Sequence, residues 1–420
     1  MSEMDGWQIK RLDQIGDVYS GATPSTAKAE YWDGDIVWVT PNDLSKLQTP
    51  FLSESAKKIT KRGLKNSSTH LLPARSVTIS SRAPIGYVAV PVVDFCTNQG
   101  CKSIKLYPEY HSEYVYYNIL FNVEKLKNLG EGTTFAEISK TTFSAVEMPF
   151  LDNFEEQKQI ATILSALDLA IEQTEAIIAK QQRIKVGLMQ DLLTKGIGEH
   201  GVIRSEATHE FKDSPLGRIP VEWDVVNVGT AAYVTKLAGF EFTNYFNYAE
   251  GGEVIALRAL NIKNEGLHLT DIQTISKKVS DRLPRSKINS GDILITYIGA
   301  YIGDVLRIHE SDKYHLAPNI AKIVCYSRVL PEFLEVAMRS QYMQRQIQNL
   351  TATTATPSLT MTQIRSLLLA IPKDKNEQLF VYKQISTVSK MIFELSANLE
   401  KFRRQKTGLM HDLLTGTVRV

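Results

Sequence analysis

The chain has 420 residues, 43% apolar and 22% charged, a globular composition on a length that exceeds one hydrophobic core. Its formal net charge of +2 excludes a uniformly basic nucleic-acid binder, so any DNA-facing charge has to be gathered locally. No run approaches the roughly eighteen apolar residues of a membrane span, and the opening Met1-Ser2-Glu3-Met4-Asp5 is unlike a signal peptide. The three cysteines, Cys96, Cys101 and Cys325, are too few and too scattered for a disulfide framework or a four-ligand zinc site, and a reduced, cytoplasmic protein is expected.

Residues 1–150 read as a mixed, mostly β block. Short apolar runs at 36–39, 76–80 and 86–90 are bounded by Gly, Pro, Asn and Asp, and a helix is expected around 113–126. From Ile160 the apolar positions Ile160, Leu164, Leu167, Ile171, Ile178, Leu188 and Leu192 follow a 3.5-residue period, with Thr174, Gln181 and Lys185 filling the seam. That period predicts a coiled-coil helix over 151–196, about 60 Å long. Residues 197–218 are polar and without periodicity, an exposed linker. A second block follows over 219–372, with strands near 254–257 and 292–296 and a helix near 331–348. The chain closes at 373–420 on a second heptad helix, carried by Val381, Ile385, Val388, Ile392, Leu395, Leu399, Phe402, Leu409 and Leu413.

The chain repeats itself. Lys180–Thr194 and Lys401–Thr415 agree at ten of fifteen positions, and the same offset brings Glu156-Gln157 onto Glu377-Gln378. Upstream, Trp7 matches Trp223, Lys57, Lys58 and Arg62 match Lys277, Lys278 and Arg282, Ile85-Gly86 matches Ile302-Gly303, and Asn98 is set opposite Asn319. The expected fold is therefore α+β: two mixed blocks, and two long helices that cover each other's narrow apolar stripe as an antiparallel coiled coil with pseudo-two-fold symmetry.

Motifs of chemistry are missing from the text of the chain. There is no phosphate-binding G-x-x-x-x-G-K-[ST] and no Pro-Pro pair of the kind that holds a flipped base in an amino-methyltransferase. Gly130-Glu131-Gly132 reads as a loop, and Cys96 and Cys101 as small buried residues. Glu155, Glu156 and Lys158 read as a solvated helix start, where acids suit the dipole.

The blocks do hold groups suited to DNA. Residues 57–65 carry Lys57, Lys58, Lys61, Arg62 and Lys65 with no acid among them. Lys277, Lys278, Arg282, Arg285 and Lys287 stand against Asp281 alone, and such clusters neutralise phosphates. Base edges need Arg, Asn, Gln or small hydroxyls. The candidates are Thr40, Asn42, Ser80, Ser81, Arg82, Asn98, Gln99, Thr133 and Thr134 in the first block, and Arg258, Asn261, Thr296, Tyr297 and Asn319 in the second. The Thr351–Thr356 run, TATTAT, joins them as a phosphate or base contact.

Along its whole length the pattern resembles the specificity (S) subunits of type I restriction–modification systems. The resemblance rests on the paired GLM-x-DLLT segments at Gly187–Thr194 and Gly408–Thr415 and on the two Glu-Gln openings preceded by Pro149 and Pro372. It rests also on Phe211–Pro220 leading to Trp223 and on Ser80–Gly86, where the second copy departs as Thr296–Gly303. The resemblance implies a non-catalytic subunit whose blocks are target-recognition domains, each reading one half of a gapped DNA site. It implies helices that set the gap and bind methyltransferase (M) subunits, two being expected. It places S-adenosylmethionine in those subunits, which flip and methylate adenine, and ATP and Mg with the restriction (R) subunits, leaving this chain without a cofactor. Three other readings stand beside it: a stand-alone methyltransferase or nuclease, a protein-binding repeat adaptor, and the same module in a related defence or type II system.

Overall fold

The computed structural model describes residues 6–82, 84–130, 137–198, 201–352 and 357–420. They form two compact units, one of residues 1–178 with 394–420 and one of residues 179–393. Each unit takes one α/β block together with the ends of both long helices that adjoin it.

In the first unit an edge pair, Trp7–Arg11 with Glu147–Leu151, closes the block at the helix root. The main sheet runs, in spatial order, Gly16–Ser20, Cys101–Leu106, Val77–Ser80, Val88–Pro91 and Phe51–Leu52. A smaller sheet places Trp32–Val39 between antiparallel Lys58–Ile59 and parallel Phe95–Thr97. The second unit repeats this plan. Asp224–Asn227 pairs with Leu368–Ile371, and the main sheet runs Ala232–Lys236, Ile320–Cys325, Ile293–Thr296, Val305–Arg307. Its smaller sheet sets Val254–Leu257 between antiparallel Gln273–Ile275 and parallel Tyr314–Leu316.

The central strands are buried on both faces, which is why they read as uncharged runs rich in β-branched residues, such as Val77–Ser80 and Ile293–Thr296. Both helices expected after the sheets are broken in two. Ser112–Phe121 and Val123–Lys127 are separated at Asn122, whose side chain donates back to the Asn118 carbonyl at 2.9 Å. Pro331–Met338 and Gln341–Thr351 are separated at Ser340, which caps the second piece by accepting from Met343 N–H. Cys96 and Cys101 are buried and free, and burial pushes the Cys96 thiol up to about 12.

The long helices span Phe154–Thr194 and Lys375–Leu414. Asn153 accepts from Glu155 N–H at 3.0 Å and Asp374 from Asn376 N–H at 2.9 Å, so each first turn is capped by a short acid or amide, a contribution of about 1 kcal/mol. The seam positions from Ile160 to Leu192 and from Val381 to Leu413 are buried or half-buried, while most positions between them are exposed. In the first unit Ile160 and Leu164 share a core with Leu413 and Leu414, Asp168 meets Lys406 at 2.5 Å, and Glu175 meets Arg403 at 2.7 Å. Moving up one helix means moving down the other, so they pair antiparallel. In the second unit the end of the first helix, Leu192 and Leu193, shares a core with Val381 and Ile385 near the start of the second. No helix among the described residues is long and apolar enough to cross a membrane.

The segment expected to be an exposed linker is held at several points. Phe211–Lys212 pairs with Ile219–Pro220, and Ile197 bridges Ile203. Glu377 accepts from Ile197 N–H at 3.0 Å and from the Trp223 indole at 3.3 Å, and it pairs with Arg204. A buried carboxylate needs such partners, and their distance in sequence hid them.

Candidate nucleic-acid interface

In the smaller sheet of each unit the central strand and its parallel neighbour point the same way, so the loops that follow them emerge at one end. Three backbone bonds stitch these loops together. In the first unit Asn98 N–H donates to the Val39 carbonyl (2.9 Å), Ser81 N–H to Gly100 (2.8 Å) and Ile138 N–H to Ser81 (2.9 Å). In the second, Ala317 N–H donates to Leu257 (3.0 Å), Tyr297 N–H to Asn319 (3.1 Å) and Leu359 N–H to Tyr297 (2.8 Å). A fourth bond shapes the loop tip: Asp43 accepts from Thr40 N–H at 2.8 Å, and Asn261 from Arg258 N–H at 2.9 Å.

This frame fixes the correspondence of the halves, and it corrects two pairings made from the sequence. Asn98 lies opposite Ala317, and Asn319 lies opposite Gly100, because insertions of unequal length precede them. Likewise Thr60 and Ser276 cap equivalent short helices by accepting from Gly63 and Val279 N–H, so Lys61 matches Lys277, and Lys57-Lys58 lie before it, Lys58 in the strand Lys58–Ile59.

On the shared frame the side chains differ. Thr40, Arg82, Asn98 and Gln99 of the first unit stand where the second has Arg258, Ile298, Ala317 and Pro318. Arg82 lies 3.7 Å from Glu137, and Arg258 donates to Asp271 at 2.7 Å, so each guanidinium is aimed by an acid. The Arg258 Nε has no hydrogen-bond partner among the described residues. Asn42, Gln99 and Asn319 are exposed, and Asn319 holds a left-handed backbone with φ 74°.

Other candidates are spent on the frame itself. Ser80 is buried, donates to the Pro84 carbonyl at 2.8 Å and accepts from Tyr87 N–H at 2.9 Å. Ser81 is buried and accepts from Lys102 at 3.0 Å. Asn261 is buried and donates to the His268 and Asp271 carbonyls at 2.8 and 2.9 Å. Thr296 is buried, receiving Asp304 N–H at 3.2 Å and donating to the Tyr301 carbonyl. Buried Tyr297 carries the Lys236 ammonium 5.0 Å over its ring. Small polar residues in a turn bond to nearby backbone, which from sequence is indistinguishable from readiness to meet a base. Thr133 and Thr134, with most of the Thr351–Thr356 run, lie outside the described residues.

Two residues absent from the sequence reading join the site. Lys102 is buried beneath the first unit's loops, and its ammonium is held 3.7 Å from Glu137. Burial pushes its pKa down, and Glu137 works against that shift. A lysine within the strand Cys101–Leu106 gives no sequence sign of this placement.

The basic clusters sit elsewhere. Lys61–Lys65 and Lys277–Arg282 follow strands antiparallel to the central one, so they lie toward the opposite end of the smaller sheet from the loops. The apparent lack of acids near the first cluster disappears in space: Glu54 pairs with Lys58 at 2.7 Å and Glu30 with Arg62 at 3.4 Å. Arg285 and Lys287 are similarly paired with Glu241 and Asp281. Lys57, Lys61, Lys65, Lys277 and Lys278 are exposed.

A repeated α/β block with a shared loop frame and a long helix behind each copy defines a two-domain protein built on paired helices. The chain belongs to the type I restriction modification DNA specificity domain family, which matches it twice, over residues 4–181 and 220–401. It is similar to the type I restriction enzyme MjaIX specificity subunit of Methanocaldococcus jannaschii, 36% identical over 227 residues, and this match covers 53% of the chain and about half, 51%, of that relative's length. The MjaVIII specificity subunit of the same organism is 27% identical over 73% of the chain and 70% of the relative. The Escherichia coli EcoR124I/EcoR124II specificity subunit is 29% identical over 38% of the chain and 40% of the relative. Among solved structures, the S subunit of a type I restriction-modification system from M. genitalium superposes with a TM-score of 0.61 at 16% identity, covering 97% of this chain and 96% of that one. A chain from a type I R-M system, solved in work on its complex assembly and conformational transition, superposes at 0.55 with 15% identity, covering 98% of both. At those identities the likeness speaks for the fold.

Proposed function

We propose that this chain is the non-catalytic DNA-reading subunit of a cytoplasmic type I restriction–modification enzyme. Each block reads one half of a gapped site, and the paired helices set the gap and dock M subunits, two being expected. S-adenosylmethionine would be held by the M subunits, and ATP and Mg by an R subunit added for cleavage. One observation carries the reading: the same backbone stitches in both units present different side chains at matched positions. A catalytic site duplicated in this way would keep its reactive groups. A reader of two unlike half-sites keeps its scaffold and varies its donors and acceptors. Met from one side of the duplex, the half-sites lie about one helical turn apart, roughly 10 base pairs.

Mapping methylated adenines in DNA from cells that express this chain with its M subunit tests the proposal. The expected result is one bipartite motif with an unspecified centre, lost when the chain is deleted. Methylation without a gapped motif, or methylation that persists in the deletion, overturns it.

A further inference from the structure

The second unit has a feature at its reading end that the first lacks. Between the strands Ala232–Lys236 and Val254–Leu257 the chain forms a short helix, Gly239–Tyr245, with sequence GFEFTNY. The equivalent stretch of the first unit, Gly21 to Tyr31, is GATPSTAKAEY, and its one aromatic, Tyr31, is buried.

This helix is fastened on three sides. At its entry Lys236 lies over the Tyr297 ring in the reading loops. Along its back, Arg282 stacks on Tyr245 at 4.0 Å and Arg285 donates to Glu241 at 2.8 Å, which joins it to the basic helix Lys277–Arg282. At its exit Phe242, buried Phe246 and Tyr248 form a chain of rings 5.5 and 5.3 Å apart. The helix therefore spans the distance between the base-facing loops and the phosphate-facing lysines, which the sheet alone keeps apart. Phe240 stands on this span with 63% of its surface exposed, and Phe242, on another face of the helix, is exposed as well. A lone exposed phenylalanine on a surface calls for no explanation. One held on a fastened helix between Lys236 and Arg282 sits where a duplex met by those cations would press on it.

We propose that Phe240 is an apolar wedge that enters a base step of the half-site read by the second block. Resting on the function proposed above, it makes the two half-sites mechanically unlike: the first is read on regular duplex, the second on a duplex opened at one step. Wedging unstacks bases and is cheapest at flexible pyrimidine–purine steps, so the second half-site should carry such a step at a position no polar group contacts.

The test uses the full chain with its M subunit and a pool of randomised duplexes. Bound duplexes are sequenced, and the selected one is remade with 2-aminopurine at successive adenines. Apart from the adenines that the M subunit flips for methylation, the proposal expects the wild type to brighten 2-aminopurine at one step of one half-site. Phe240→Ala should abolish that signal, weaken binding roughly tenfold or more and relax preference at that step, with the other half-site and the melting temperature unchanged. Phe240→Leu, still apolar, should retain most of both effects. Unaltered binding in Phe240→Ala, or wild-type binding with no brightening beyond the flipped adenines, overturns the wedge while leaving the reading function intact. A wild type that selects no bipartite sequence brings down the proposed function, and the wedge with it.

Discussion

Gln157 and Gln378, both fully buried, make the same three hydrogen bonds in the two units. Gln157 accepts from His111 N–H at 2.8 Å and donates to the Leu151 and Glu109 carbonyls at 2.7 and 3.2 Å. Gln378 accepts from Leu330 N–H at 2.9 Å and donates to Pro372 and Arg328 at 2.9 and 3.2 Å. Each amide sits in the first turn of a long helix and ties it to the loop before the block's own helix and to the last strand. It is the joint between reader and rod. Replacing it by Ala strands three buried backbone groups, at about 1 kcal/mol or more each. Gln378→Ala should therefore destabilise the second unit by about 3 kcal/mol, with faster amide exchange around Leu330 and residues 375–385 and little change around His111. Gln378→Glu, which keeps the acceptor and loses both donors, should be nearly as damaging. Equal exchange in both units would contradict the joint.

Lys185 and Lys406 fill matching positions in the repeated helix segment, and among the described residues only Lys406 of the two is in a salt bridge. Lys406 pairs with Asp168, which accepts from Tyr117 at 2.7 Å. Lys185 is half-buried; burial first and Arg339 second push its pKa below the usual 10.5, with Glu265 opposing. A lysine whose folded pKa is depressed costs stability wherever it must be charged in the fold, and that cost fades as pH rises toward its unfolded value. Lys185→Leu should raise stability at pH 7 by about 1 kcal/mol through removed charge and added burial. In urea titrations the charge part of the gain should shrink as the pH approaches 10. A gain that grows with pH would refute this origin.

The legible and illegible parts of the molecule divide along physical lines. Heptad spacing is a property of residues near in sequence, and it marked both long helices and their seam from Ile160 to Leu192 and Val381 to Leu413. The loops at Thr40, Arg82 and Asn98 were marked as DNA-facing candidates by composition, and the fold gathers them at one end of the smaller sheet. Composition could not separate exposed Gln99 from buried Ser81, since both are small-loop polar residues and only the register of distant strands buries one. The pairing of Asn98 with Asn319 failed for the same reason: insertions shift it by two residues, and hydrogen bonds rather than letters restore it. Glu30 and Glu54 escaped notice because they approach Arg62 and Lys58 from outside the run of basic residues.

Salt dependence should separate the charges that serve DNA from those already satisfied. Lys61 and Lys65 are exposed, and neither is in a salt bridge among the described residues, whereas Lys58 is paired with Glu54. If the cluster meets phosphate, Lys61→Ala and Lys65→Ala should each flatten the plot of log binding constant against log salt by about one unit. Lys58→Ala should change it less, because Glu54 already neutralises that charge. Neither change should alter the sequence selected. An unchanged slope in both exposed variants would remove this helix from the interface.

Exchange of parts tests the division of labour between blocks and helices. Replacing residues 1–150 with the corresponding block of another family member should change one half of the methylated motif and leave the other half and the gap alone. Inserting one heptad at matched places in both helices should do the reverse. Seven residues preserve the apolar seam and add about 10 Å, close to three base pairs of duplex. Both half-sites should then stay fixed while the unspecified centre lengthens by about that amount. An insertion of four residues in only one helix slides the seam past its partner and should cost stability before it moves the gap. If the heptad insertion changes which bases are methylated rather than their spacing, the helices do not act as the ruler.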